Sequence, residues 1–176
     1  MKKPPREVFE THRPTEFALD VGAAACELLA LFMADKPIHA LLAARGLDVI
    51  GNEYPEYRKA RIFKLLIEIA TSYRIVSWRL SGHERDLERE KEVGLLVIAN
   101  GADVPLSMHE ACNKIIHADE FALETRKLRS LPLSYIKELS ILASGKKGRD
   151  EWTICLFIPE FCAAAFSMPL PDGLPF

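Results

Sequence analysis

The spacing of apolar residues changes near Pro132, and this change constrains the fold more than any other feature of the chain. Up to about Phe121 the apolar residues recur at helical spacing. A later group of apolar residues alternates with polar or small neighbours, as in a half-buried strand. These residues are Trp152, Ile154, Leu156 and Ile158. The sequence therefore predicts a mainly α chain, a bundle of four to five helices followed by a C-terminal β-hairpin and a short helix (α+β).

The helical spacing divides the first part of the chain into segments. It predicts helices over about 16–34, 37–46, 55–82 and 83–99. Pro37 and Pro55 suit first helical turns, where the missing amide hydrogen costs little. Gly46 and Gly82 suit helix ends. The fourth helix starts in solvent, enters the core over Val93–Ala99 and stops at Asn100-Gly101.

Length and composition indicate one globular domain. The chain has 176 residues, of which 49% are hydrophobic and 27% charged. We expect a loosely ordered arm over residues 1–15, a single domain over 16–168 with the hairpin at about 134–158, and a flexible tail over 169–176. The net charge of -2 argues against a protein that coats nucleic acid through its overall field, but it allows a local basic groove.

The chain shows no feature of an exported or membrane protein. The longest apolar stretch, Val21–Met33, contains Glu27 and is too short to span a bilayer. No secretory signal is seen, so we expect a cytoplasmic protein without a membrane partner. The cysteines include no C-x-x-C pair, which predicts free thiols and no structural zinc: Cys26, Cys112, Cys155 and Cys162.

The best-signalled helix begins after Ser107. Glu110 stands three residues later and completes a capping box. His109, Asn113 and His117 recur every four residues and form one polar ridge. The ridge starts at the edge of the apolar face and drifts outward, so we expect His117 to be accessible.

Part of this helix resembles the R-N-x-x-x-H signature of the HEPN superfamily. Asn113 and His117 match the family's Asn and His, whereas Cys112 stands at the position of its Arg. The resemblance implies a helical bundle that acts in toxin–antitoxin or phage-defence systems. It also implies that the motif helices of two subunits converge at a homodimer interface. There the motif residues would cleave RNA without a metal ion, with the 2'-hydroxyl of the RNA as the nucleophile. It covers about a third of the chain, and the β-hairpin lies outside it.

Two functions follow from the ridge. The first is a HEPN-like, non-catalytic module that binds a protein or RNA partner, with His109 and Lys114 as binding residues; the missing Arg favours it. The second is a metal-independent endoribonuclease, in which His117 is the general acid/base and Asn113 orients it. They differ in whether a basic residue from elsewhere in the fold lies near His117.

No cofactor and no metal are predicted. His109 and His117 stand eight residues apart, which places their α-carbons about 12 Å from each other, too far for two ligands of one ion on one helix.

Two basic segments have alternative interpretations. One is a phosphate-binding face on the helix over 55–82, although a solvated helix face is favoured: Arg58, Lys59, Arg61 and Lys64. The other is the predicted polar turn over Ser144–Asp150, whose charges could contact nucleic acid or could protect a sheet edge.

Overall fold

The computed structural model describes residues 14–77, 91–97, 102–127, 134–148 and 150–167. Within these ranges it contains four helices and five strands. The elements are α1 (Pro14–Ala44), α2 (Asp48–Ser77), β1 (Glu92–Val97), β2 (Val104–Ser107), α3 (Met108–Ile116), β3 (Glu120–Lys127), β4 (Ser134–Lys147), β5 (Asp150–Phe157) and α4 (Ile158–Phe166). The predicted tail over 169–176 and most of the predicted arm lie outside the described residues, whereas Pro14 and Thr15 already belong to α1.

The five strands form one antiparallel sheet in the order β2-β1-β5-β4-β3. The predicted bundle with a lone hairpin is therefore wrong. The β4–β5 hairpin exists, with Ser140 opposite Phe157 and Lys147 opposite Asp150, but β1 and β3 extend it on both sides. The strands run through most of the predicted turn, up to Lys147 and again from Asp150, and Gly148 has a positive φ.

The strand β1 was predicted as the end of a helix. It is an interior strand, paired with β2 on one side and β5 on the other. Its residues from Val93 to Leu96 are buried or half-buried on both faces, so they do not alternate. A short apolar run of this kind cannot be distinguished from a buried helical turn by spacing alone. The rest of the predicted helix over 83–99 lies outside the described residues, apart from Lys91.

Helix α1 continues through Pro37, where the sequence predicts a new helix. Its buried face is unbroken across this residue, with Phe32, Asp35, His39 and Leu42 at three- and four-residue spacing. Proline in a helix interior costs about 3 kcal/mol. Packing of this part of α1 against α2 and β4 outweighs that cost. Pro55 likewise lies inside α2.

The core lies between the helices and one face of the sheet. The predicted packing face of β5 and the following residue is confirmed, because these side chains are all buried: Trp152, Ile154, Leu156 and Ile158. Ile62, Leu65, Ile69 and Tyr73 form the predicted buried face of α2. Helix α3 packs on α2 and joins the end of β2 to β3, so its polar ridge lies beside the sheet.

Candidate functional site

Helix α3 is the ridge helix that the sequence predicts. It begins after Ser107, whose hydroxyl accepts a hydrogen bond from the backbone N–H of Glu110 at 3.3 Å. The predicted apolar face is confirmed, because four residues are buried at helical spacing: Met108, Ala111, Cys112 and Ile115. The N-cap and this apolar face fix the direction in which the ridge points.

His117 caps the C-terminal end of α3. Its backbone N–H donates to the carbonyl oxygens of Asn113 at 3.3 Å and Lys114 at 3.2 Å, which ends the helix. Its side chain is exposed, as the ridge predicts, while Asn113 and Lys114 are half-buried. The imidazole is therefore accessible to a ligand.

The ridge forms one wall of a cleft of about 490 Å³. Three residues line it from other elements: Arg74 of α2, Lys146 of β4 and Trp152 of β5. The ridge helix contributes Glu110, Asn113, Lys114 and His117. Of the four predicted site residues, the structure brings together Asn113, Lys114 and His117, whereas His109 is not among the residues that line this cleft. We call it the basic cleft.

Neighbouring groups hold both lysines of the basic cleft in position. The Lys114 ammonium lies 4.6 Å from the centroid of the Trp152 ring and 3.6 Å from a Glu110 carboxylate oxygen. The Lys146 ammonium lies 2.7 Å from Glu151, and this hydrogen bond raises the pKa of Lys146. With Arg74, the cleft presents three cations, against the carboxylate of Glu110 in its lining and that of Glu151 paired with Lys146, which leaves one positive charge in excess.

The charge of Arg74 also acts on the residue that stands where the HEPN signature has its Arg. That position is occupied by Cys112, which is fully buried. Burial raises the pKa of the Cys112 thiol, and the charge of Arg74 acts in the opposite direction. A guanidinium from α2 is thus within electrostatic reach of the ridge. Spacing within α3 could not reveal it, because Arg74 belongs to another helix.

Gly145 allows α3 and the hairpin to approach each other at the cleft. Gly145 is paired with Trp152 across β4 and β5. A Cβ atom at this position would lie 2.9 Å from the carbonyl oxygen of His117 and even closer to the Trp152 ring. No residue with a side chain fits there without a shift of the cleft walls.

A second polar cluster lies inside the protein and was missed. Asp35 of α1 forms a buried ion pair with Arg58 of α2, and its second oxygen accepts the backbone N–H of Ile136 at 2.5 Å. His39 Nε2 lies 3.2 Å from Arg58 Nη1 and 3.6 Å from the same carboxylate. We call these residues, with Tyr54, the buried polar cluster.

The favoured prediction of a solvated face is therefore wrong for Arg58. This residue is 3% exposed, and it precedes Ile62 and Leu65 at the spacing of the buried face. That spacing was the signal that could have identified it. Lys59 and Lys64 are exposed, as that prediction requires, and Arg61 is half-buried and bonds to Glu27 on α1.

Burial controls the protonation of the cluster. Desolvation lowers the pKa of His39, and Arg58 acts in the same direction while Asp35 opposes it. Desolvation also raises the pKa of Tyr54, so both groups are neutral at neutral pH. Within the described part of the chain, three buried atoms here have no hydrogen-bond partner: His39 Nδ1, Tyr54 Oη and Arg58 Nε.

Among the described residues, no group of three or more His, Cys, Asp or Glu side chains is placed to hold a metal ion. None of the helices in that part of the chain combines the length and apolar character needed to cross a membrane. Comparisons with protein-family models, with curated proteins and with solved structures gave no match.

Proposed function

We propose that the protein binds single-stranded RNA through the basic cleft, as a non-catalytic module. The observation that carries this proposal is the convergence of Arg74, Lys114 and Lys146 from three elements on one cleft. Fixed cations in a concave site attract phosphate groups and release their counterions. The overall charge of -2 does not favour RNA, so binding would be confined to this cleft.

The remaining lining residues suit RNA better than a simple anion. Asn113 offers both a donor and an acceptor, and His117 offers ring nitrogens at the exposed end of the helix. Such groups can bond the 2'-hydroxyl or the edges of unstacked bases. The volume of about 490 Å³ falls in the range of small-ligand sites, which fits one or two nucleotides.

The proposal rests on the basic cleft and not on the fold that the HEPN resemblance implies. The five-stranded sheet is not part of the predicted bundle, whereas Arg74 supplies a positive charge in the cleft that Asn113 and His117 line. We also propose that the chain is cytoplasmic and, from the resemblance, that it belongs to that superfamily, forms a homodimer, and acts with a protein partner in phage defence or a toxin–antitoxin pair.

The second candidate function is metal-independent RNA cleavage. The observation that favours it is the exposed His117 side chain in the same cleft as Arg74 and Lys146, because basic residues from other elements near His117 are what a ribonuclease requires. The non-catalytic module is ranked first because the buried Cys112 stands on α3 where the HEPN signature has its Arg. As a ribonuclease residue, His117 accepts the proton of the 2'-hydroxyl or donates a proton to the leaving oxygen, Asn113 orients the ring, and Arg74 neutralises the phosphate.

Fluorescence anisotropy with a labelled, mixed-sequence single-stranded RNA in EDTA tests both functions. Arg74→Ala and Lys146→Ala should each weaken binding about three- to tenfold and reduce the slope of log affinity against log salt by about 0.7. Lys137→Ala is the matched control, because Lys137 is another lysine of β4 that is paired with glutamates, 2.6 Å from Glu124, but does not line the cleft.

Three results separate the possibilities. Absence of RNA binding by the folded protein, or equal losses in Lys137→Ala and Lys146→Ala, would contradict the proposed cleft. Binding without cleavage supports the non-catalytic module. Cleavage that persists in EDTA and disappears in His117→Ala would replace it with the ribonuclease.

A further inference from the structure

A narrow apolar groove separates α1 from α4, away from the basic cleft. Its volume is about 260 Å³. Its lining contains two of the four cysteines and little polar surface: Ala25, Cys26, Leu29, Pro159, Cys162, Ala163 and Phe166. Small residues allow the two helices to come close, since a Cβ atom on Gly22 of α1 would already touch the Phe166 ring at 3.4 Å.

The two thiols of this groove differ sharply in environment. Cys26 is exposed, whereas Cys162 is 4% exposed. Against the effect of burial, which raises it, the backbone of Leu29 lowers the pKa of Cys162, and Leu29 lies three residues after Cys26, on the same side of α1. Cys26 and Cys162 thus face the same groove from α1 and α4.

We propose that Cys26 and Cys162 are a peroxide-sensitive dithiol, in which oxidation forms a disulfide that joins α1 to α4. In the first step the Cys26 thiolate attacks a peroxide oxygen. An S–O bond forms, the O–O bond breaks, and Cys26 becomes a sulfenic acid, while the leaving hydroxide takes up the proton that Cys26 had lost and departs as water. In the second step the Cys162 sulfur attacks the Cys26 sulfur, the S–O bond breaks, and the hydroxyl leaves as water with the Cys162 proton. In total two thiols and one hydrogen peroxide give one disulfide and two waters.

The environments set the order of the two steps. Burial raises the pKa of Cys162 to about 12, and a charge on Cys26 acts in the same direction. Because the thiolate is the nucleophile, a buried thiol with a raised pKa reacts poorly with dissolved peroxide. Cys26 therefore reacts first, and its oxidised sulfur is presented to Cys162 at close range. This inference is independent of the RNA-binding proposal.

Peptide mapping of the peroxide-treated native protein tests the pair. After digestion without reduction, we expect one cross-linked peptide that contains Cys26 and Cys162, and dithiothreitol should remove it. Cys162→Ala should accumulate sulfenic acid on Cys26, trapped by dimedone, whereas Cys26→Ser should leave Cys162 unmodified at the same peroxide concentration. Cys155→Ser is the control, since Cys155 does not line the groove, and it should retain the cross-link.

Several outcomes would overturn the inference. One is a wild-type protein in which Cys26 proceeds to sulfinic acid without a cross-link. Another is a disulfide that joins Cys26 of two chains. A third is oxidation of Cys162 in the folded Cys26→Ser variant at a peroxide concentration too low to oxidise any cysteine of the wild-type protein.

Discussion

Replacing Asp35 with alanine should destabilise the protein more than any surface charge change does. The substitution leaves Arg58 charged inside the protein and removes the acceptor for the backbone N–H of Ile136. Removing one partner of a buried ion pair costs about 3–5 kcal/mol. An orphaned buried amide costs about 1–3 kcal/mol. Since the two effects overlap, we expect a loss of about 4–6 kcal/mol, a large fraction of the about 5–15 kcal/mol of a typical domain.

Urea unfolding followed by circular dichroism at neutral pH measures this loss. Asp35→Asn should cost less, because its amide oxygen can still accept the Ile136 N–H. The double variant Asp35→Leu/Arg58→Met should be more stable than Asp35→Ala, since it leaves no buried charge without a partner.

The pair between Glu27 and Arg61 provides the matched control. It also joins α1 to α2, with Arg61 Nε 2.7 Å from Glu27, but the Glu27 side chain is 44% exposed. Glu27→Ala should therefore cost only a small part of the loss in Asp35→Ala. If both cost the same, or if the double variant is less stable than Asp35→Ala, burial is not what sets the energy of the Asp35 pair.

Three further predictions concern the buried polar cluster, the basic cleft and the ridge helix. The free energy of unfolding should fall as the pH drops through about 6.5 towards the lowered pKa of His39, because the unfolded chain then binds more protons; urea titrations should show a smaller fall in His39→Gln. Gly145→Ala should cost about 1–3 kcal/mol of stability and weaken RNA binding, because the added methyl meets Trp152 and His117; unchanged unfolding and anisotropy would contradict this packing. Ser107→Ala should cost about 1 kcal/mol in the same unfolding assay, because it removes the N-cap of α3, and an unaffected midpoint would argue against the cap.

The sequence predicted those elements that are marked by residues within the element itself, such as a helix cap or a regular spacing of apolar residues. Helix α3 could be located because Ser107 and Glu110 mark its start and four apolar residues mark its face. Strand β5 could be located because it alternates. The strand over Glu92–Val97 could not, since its central residues Val93–Leu96 are glycine or apolar, all buried or half-buried, and do not alternate, and β2 has only four residues.

The site was predictable only in the part that one helix carries. Asn113 and His117 are predictable from their four-residue spacing in α3, and Lys114 from its charge next to Asn113. Arg74 and Lys146 join them through packing of α2 and β4, which no spacing within a segment encodes. Arg58 is different, because its position on the apolar face of α2 was visible in the sequence, and a charge on such a face calls for a buried partner.

The strand order carries a consequence for synthesis of the chain. Strand β5 is the last to be translated, yet it lies in the middle of the sheet, between β1 and β4. Until Asp150–Phe157 has left the ribosome, the β1–β2 and β3–β4 pairs cannot be joined, and each has an open inner edge. Open edges attract other strands. We therefore expect a nascent chain that ends before Asp150 to contain two strand pairs that are not hydrogen-bonded to each other. Such a chain should depend on chaperones and should not fold as a smaller, stable form of this protein.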